Sequence, residues 1–213
     1  MKKSLINVLA LLSLLTCCFW VYRALATQSF SHIYLLWNLF LAWIPLLIAL
    51  KVKQRQGVKH KVLILSVVWL LFFPNAPYII TDLVHLEMNN LGQFWHEVTL
   101  FFSFASVSLA CGLVSMRLMH QVWAKVFSEK ISLVLLALVI PLSGFGIYLG
   151  RIQRWNSWDA FVHPKTLIFR SVWAIFHSKT AWTMTFEFSM LIAGAYLFLY
   201  YLGQSEKTEK GEI

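Results

Sequence analysis

The chain has 213 residues, a net charge of +9, 59% hydrophobic residues and only 13% charged ones. Soluble domains carry about a quarter charged residues and at most about half apolar ones. That balance excludes a soluble globular enzyme, a disordered chain and a nucleic-acid-binding domain, because the basic residues stand in short clusters between apolar runs and form no basic face.

A helix needs roughly 20 apolar residues to cross a hydrocarbon core about 30 Å thick. About six runs qualify: Leu5–Tyr22, Ile33–Leu50, Val62–Ile80, Val98–Met116, Ile131–Leu149 and Ala181–Leu202. The expected fold is all-α, a polytopic transmembrane helical bundle forming one domain over residues 1–203. The polar, mixed-charge stretch 204–213 is expected to be a disordered cytoplasmic tail. The first run follows Lys2 and Lys3 and precedes Ala24-Leu25-Ala26, which resembles a signal-peptide cleavage site. It is longer than the apolar region of a signal peptide, about 7–15 residues, so a retained helix is expected.

With the N-terminus inside, twelve of the 18 Lys and Arg residues fall on the inner side, and Lys51–Lys61 is the main cluster. The outer side holds the other six: Arg23, Arg151, Arg154, Lys165, Arg170 and Lys179. The positive-inside rule then places both termini in the cytoplasm. Cys17, Cys18 and Cys111 all fall in apolar runs, which suits packing and not a disulfide framework or a metal site. The acids Asp82, Glu87, Glu97, Asp159 and Glu187 all fall in the outer half, as do His85, His96, His163 and His177. A solvated outer surface explains that asymmetry, and so does a polar pocket.

The second run carries Asn38 near its outer end, within reach of such a pocket. The third run contains Pro74-Asn75-Ala76-Pro77. Proline removes a backbone donor and crowds the preceding turn, so the helix should break there. About 12 residues precede Pro74, roughly 18 Å of helix, so the break falls within the membrane or near its outer surface. Asn75 is placed to cap a second half-helix. On it Asp82 and His85, three apart, share a face. They are the candidate catalytic or metal-binding pair, and the alternative is a hydrogen bond that holds the loop.

The fifth run ends in Gly146, Gly150, Arg151, Arg154, Trp155, Asn156, Trp158 and Asp159. Two Arg forks beside indoles suit a phosphate or carboxylate head group. They equally suit an Arg pair tied to local acids within an aromatic belt. After it, Pro164 can start a helix whose Ile168, Val172, Ile175 and Phe176 fall on one side. An amphipathic helix lying in the outer interface is expected there. Glu187 lies in the sixth run, where an acid is costly unless it is paired. An ion pair with Arg151 or Arg154 is expected.

The blocks Trp37–Pro45, Phe73–Leu83, Gly146–Arg151 and Arg154–Asp159 resemble an uncharacterised bacterial integral membrane protein family, the domain-of-unknown-function family numbered 1361. The resemblance covers roughly the second to the sixth run. It implies a bacterial cytoplasmic-membrane protein, and it implies no activity, cofactor or catalytic residue.

The functional expectation is an extracytoplasmic polar pocket that binds or modifies a lipid head group or other anionic amphiphile. Its binding residues are Asn75, Arg151, Arg154, Trp155, Asn156, Asp159 and Glu187. A small transporter or channel remains open, given the broken third run and the acid in the sixth. So does a non-catalytic partner subunit. The bilayer is the expected environment, and nucleic acid is not an expected partner. The metal, any cofactor, the reaction and the choice between a protein partner and a homo-oligomer are left unassigned.

Overall fold

The computed structural model describes residues 3–54, 59–86 and 91–209. Arg55, Glu87 and the last four residues of the polar tail, 210–213, lie outside the described residues. In chain order the helices are α1 (Lys3–Thr27), α2 (Tyr34–Gln54), α3 (Lys59–Phe72), α4 (Asn75–Tyr78), a 3-10 segment (Ile79–His85), α5 (Leu91–Val126), α6 (Glu129–Arg151), α7 (Asp159–Val162), α8 (Pro164–His177) and α9 (Lys179–Glu209). The described residues contain no strand. Six stretches are long and apolar enough to cross a membrane, with α3 through the 3-10 segment counted as one. The fold is therefore an all-α polytopic bundle.

α5 is the axis. Its 36 residues reach roughly 54 Å, well beyond the expected Val98–Met116 and longer than a bilayer core. α2 runs along it, and α1, α4, α6 and α9 also lean on it. Two apolar clusters fill the interior. One is built around Trp69, Phe73 and Trp123 and reaches toward the lysine-rich end of the bundle. The other, near the Arg151 end, contains Trp20, Leu35, Leu39, Ile79, Phe101 and Phe104. The buried indoles find hydroxyl partners: Trp69 Nε1 donates to Ser115 Oγ at 3.3 Å, and Trp123 Nε1 to Ser66 Oγ at 2.9 Å. In a dry interior those bonds matter, because an unmet indole N–H would keep its full desolvation cost.

The break in the third crossing lies where the prolines put it, and its hydrogen bonding differs from the expectation. The backbone tightens at the break: Ala76 N–H goes to Phe73 O at 3.1 Å, one residue short of the α-helical acceptor. That leaves Phe72 O free. Asn75 does not cap the following helix. It turns its amide back and donates to Phe72 O at 2.9 Å, and also to Ser157 Oγ at 2.9 Å. The chain then continues as 3-10 helix.

Close approach sets the packing of α6. A methyl group built on Gly146 would stand 2.6 Å from Pro74 Cγ, so only glycine lets α4 sit this near. On its other side, Gly144 lies against Thr185 O of α9. α9 is also tied to α5, where Arg117 Nη1 donates to Leu199 O at 2.7 Å and His120 Nδ1 meets Tyr196 Oη at 2.6 Å. The α9 helix continues to Glu209, into the stretch expected as a tail. α8 begins at Pro164, as the pattern suggested. Its Ile168, Phe169, Val172, Trp173 and Phe176 are exposed, and Ala174 is buried.

Candidate functional site: an arginine-ended cavity

The site begins with the 3-10 geometry. Three residues per turn place side chains at i and i+3 in line. Asp82 and His85 are such a pair, and both meet the same guanidinium. Arg151, on the last turn of α6, donates from Nη1 to Asp82 Oδ1 at 3.1 Å, and its Nη2 lies 3.0 Å from His85 Nε2. A guanidinium only donates, so His85 accepts through Nε2. The second Asp82 oxygen accepts from Asn38 Nδ2 on α2 at 2.9 Å. Asp82 is 2% exposed. A carboxylate this deep requires a charged partner and filled acceptor sites, and it has both. Its chemistry is to hold Arg151. Both oxygens and His85 Nε2 are occupied, and among the described residues no three His, Cys, Asp or Glu side chains cluster as a metal set.

Beyond α6 the chain folds back. Arg154 takes a left-handed backbone, φ 59°, and Trp155 N–H returns to Leu149 O at 3.1 Å. For a non-glycine residue that conformation costs roughly 1–2 kcal/mol. The segment is pinned by the Asn75–Ser157 bond and by Trp155 Nε1 on Gln153 Oε1 at 3.1 Å. Asp159 is a turn residue. Its Oδ2 accepts Asn156 N–H at 2.7 Å, and it does not line the cavity.

These elements line a half-open cavity of about 660 Å³. Its polar end consists of Asn38, Asn75, His85, Arg151, Arg154, Asn156 and Ser157, with Trp155 beside them. Its other end is apolar: Leu41 of α2, Leu70 and Leu71 of α3, and Leu142 and Phe145 of α6. The charges at the polar end do not cancel. Asp82 balances Arg151, while Arg154 is exposed and has no ion-pair or hydrogen-bond partner among the described residues. The cavity therefore carries one unmatched positive charge, on a strained residue.

Of the expected binding residues, Asn75, Arg151, Arg154, Trp155 and Asn156 meet in this cavity. Glu187 does not. It is exposed on α9, and Arg151 pairs with Asp82 instead. The reason is rotational. α9 packs on its neighbours through Thr185, Ser189, Ile192 and Tyr196, and Glu187 stands two residues past Thr185, about 200° round the helix.

A second polar cluster adjoins the first. Arg23 at the end of α1 donates to Glu97 Oε1 of α5 from Nη2 at 2.5 Å and from Nε at 2.9 Å, and His32 Nε2 lies 3.2 Å from Glu97 Oε2. His32 is held there by a left-handed backbone, φ 64°. Burial pushes its protonation below the ordinary range, and Glu97 opposes that only in part. The Tyr34 ring links the clusters, with its hydroxyl 3.5 Å from His32 Nδ1 and its edge on His85 at 5.9 Å between centroids. Sequence reasoning saw Arg23 and Glu97 only as charges on the outer side. The available signal was that each stands alone near the end of an apolar run.

The model of one protein family, described as protein of unknown function (DUF1361), matches residues 37–194. That stretch contains every residue lining the cavity. No curated protein and no solved structure matches the chain.

Proposed function

The chain belongs to the DUF1361 family of proteins of unknown function, and we propose that it is a multi-pass protein of a bacterial plasma membrane whose cavity binds the anionic head group of a membrane amphiphile. The observation that carries this reading is Arg154, a cation with no partner among the described residues at the polar end of a half-open cavity. Strain of that kind persists where the surroundings impose it, and it concentrates at ligand clamps. Arg151 is the second donor, aimed by Asp82, Asn38 and His85. Asp82 is thus a positioning residue. His85, exposed at the cavity, is the group there with acid–base capacity should the bound molecule be modified.

We place the cavity on the extracytoplasmic side and both termini in the cytoplasm. Lys51, Lys53, Lys59, Lys61, Lys125 and Lys130 lie at the opposite end of the bundle, which supports that orientation. The test is calorimetric titration of the purified full chain with glycerol phosphate. Charge-assisted hydrogen bonds contribute about 1.5–3 kcal/mol, so Arg154→Ala should weaken binding at least ~10-fold. Glu187→Gln, outside the cavity, should leave it unchanged. Equal affinity in wild type and Arg154→Ala would refute the reading.

A further inference from the structure

We propose that the occupant is a whole lipid that enters sideways from the bilayer between α2 and α6, its head on the arginines and its chain along the apolar end of the cavity. This rests on the head-group reading above and names the ligand class more closely.

Depth is the first argument. Leu142 precedes Arg151 by nine residues on one helix, so the lining descends roughly 14 Å from the arginine, about half the hydrocarbon core. Leu70 and Leu71 face the same trough from α3, within the third crossing. A soluble anion would use the polar end and leave that trough unfilled. A space walled by Leu and Phe at membrane depth offers water no partners, and a hydrocarbon chain fits its chemistry.

The route is the second argument. Among the described residues, α2 and α6 make no extensive contact with each other; both rest on α3 and α4, which form the back wall. Leu142 is 51% exposed and Trp37 52%, so the trough opens on its bilayer side. An aromatic contact crosses the opening. Trp37 of α2 meets Trp158, in the segment after α6, edge to face with 6.4 Å between ring centroids. Tryptophans favour the head-group level of a bilayer. Here the pair spans the gap at that level, and parting it would admit a chain without moving a helix.

The test uses the full chain incubated with vesicles of phosphatidylcholine containing phosphatidylglycerol, then extracted in mild detergent. Retained phosphatidylglycerol is read by native mass spectrometry, and glycerol phosphate binding is measured on the same samples. Leu71→Trp and Leu142→Trp, on different helices, fill the trough from two sides. A variant counts only if its helical content matches wild type. The expected result is at least ~10-fold less retained lipid in either variant, with glycerol phosphate affinity unchanged. Wild-type retention in the folded variants would overturn the lateral chain site and leave the head-group reading standing. If wild type binds neither the lipid nor glycerol phosphate, both fail together.

Discussion

Asp82 shows how one buried acid organises a site. With a neutral amide on one oxygen and a guanidinium on the other, it converts Arg151 from a mobile cation into a fixed one. Removing one member of a buried ion pair costs about 3–5 kcal/mol, because the remaining charge stays desolvated. Asp82→Asn is therefore expected to lower the thermal midpoint of the purified protein by well over 5 °C, a shift that Asn38→Ala should reproduce only in part. His32 gives a pH signature at the same scale. Its protonated form is disfavoured by burial among Arg23, Glu97, Tyr34 and His85. A histidine with a depressed folded value contributes stability that is fully present above the unfolded value of 6.5 and lost as pH falls through the folded one. Thermal midpoints should drop between pH 7.5 and pH 5 more in wild type than in His32→Asn, which tolerates the left-handed backbone. Equal drops would mean that His32 is not held neutral.

At the scale of elements, the decisive device is the interrupted third crossing. Prolines break it, Asn75 supplies the missing donor, and the 3-10 turn that follows aligns Asp82 with His85. Gly146 lets this irregular piece rest on α6, so the cavity walls depend on one absent methyl group. Overpacking such a contact costs about 1–3 kcal/mol. Gly146→Ala should lower stability by that much and weaken glycerol phosphate binding, whereas Gly194→Ala, with open space around it, should do neither. Paired melts and titrations check this.

What sequence showed and hid divides along the same line. Apolar runs, the proline break and the Pro164 start are local, and hydropathy and backbone chemistry reveal them. The shared face of Asp82 and His85 is local too. Arg151 as their partner is not, since 69 residues separate it from Asp82. The rotation of Glu187 is not legible either, because Thr183, Thr185, Glu187 and Ser189 recur every second residue along α9 and mark no single helical face. The Arg23–Glu97 pair joins residues 74 positions apart, and His32 reaches it through a left-handed turn that hydropathy does not mark.

At the scale of the whole molecule, two ends contrast. One carries most of the lysines, and the other carries the joined polar clusters and the cavity. Between them the surface is apolar: Leu11, Leu14 and Leu15 of α1 and Phe186, Met190 and Phe198 of α9 are all exposed, as helices facing lipid should be. The bundle thus carries a polar cavity at one end with an apolar trough leading from it, and on the proposed reading that arrangement suits a molecule that is itself half polar and half apolar. The most direct measurement is gentle purification of the full chain and native mass spectrometry of whatever remains bound, in wild type and in Arg154→Ala. The account predicts an anionic amphiphile at about one per chain in wild type, lost in the variant. An empty wild type, or the same ligand at the same occupancy in both, would contradict it.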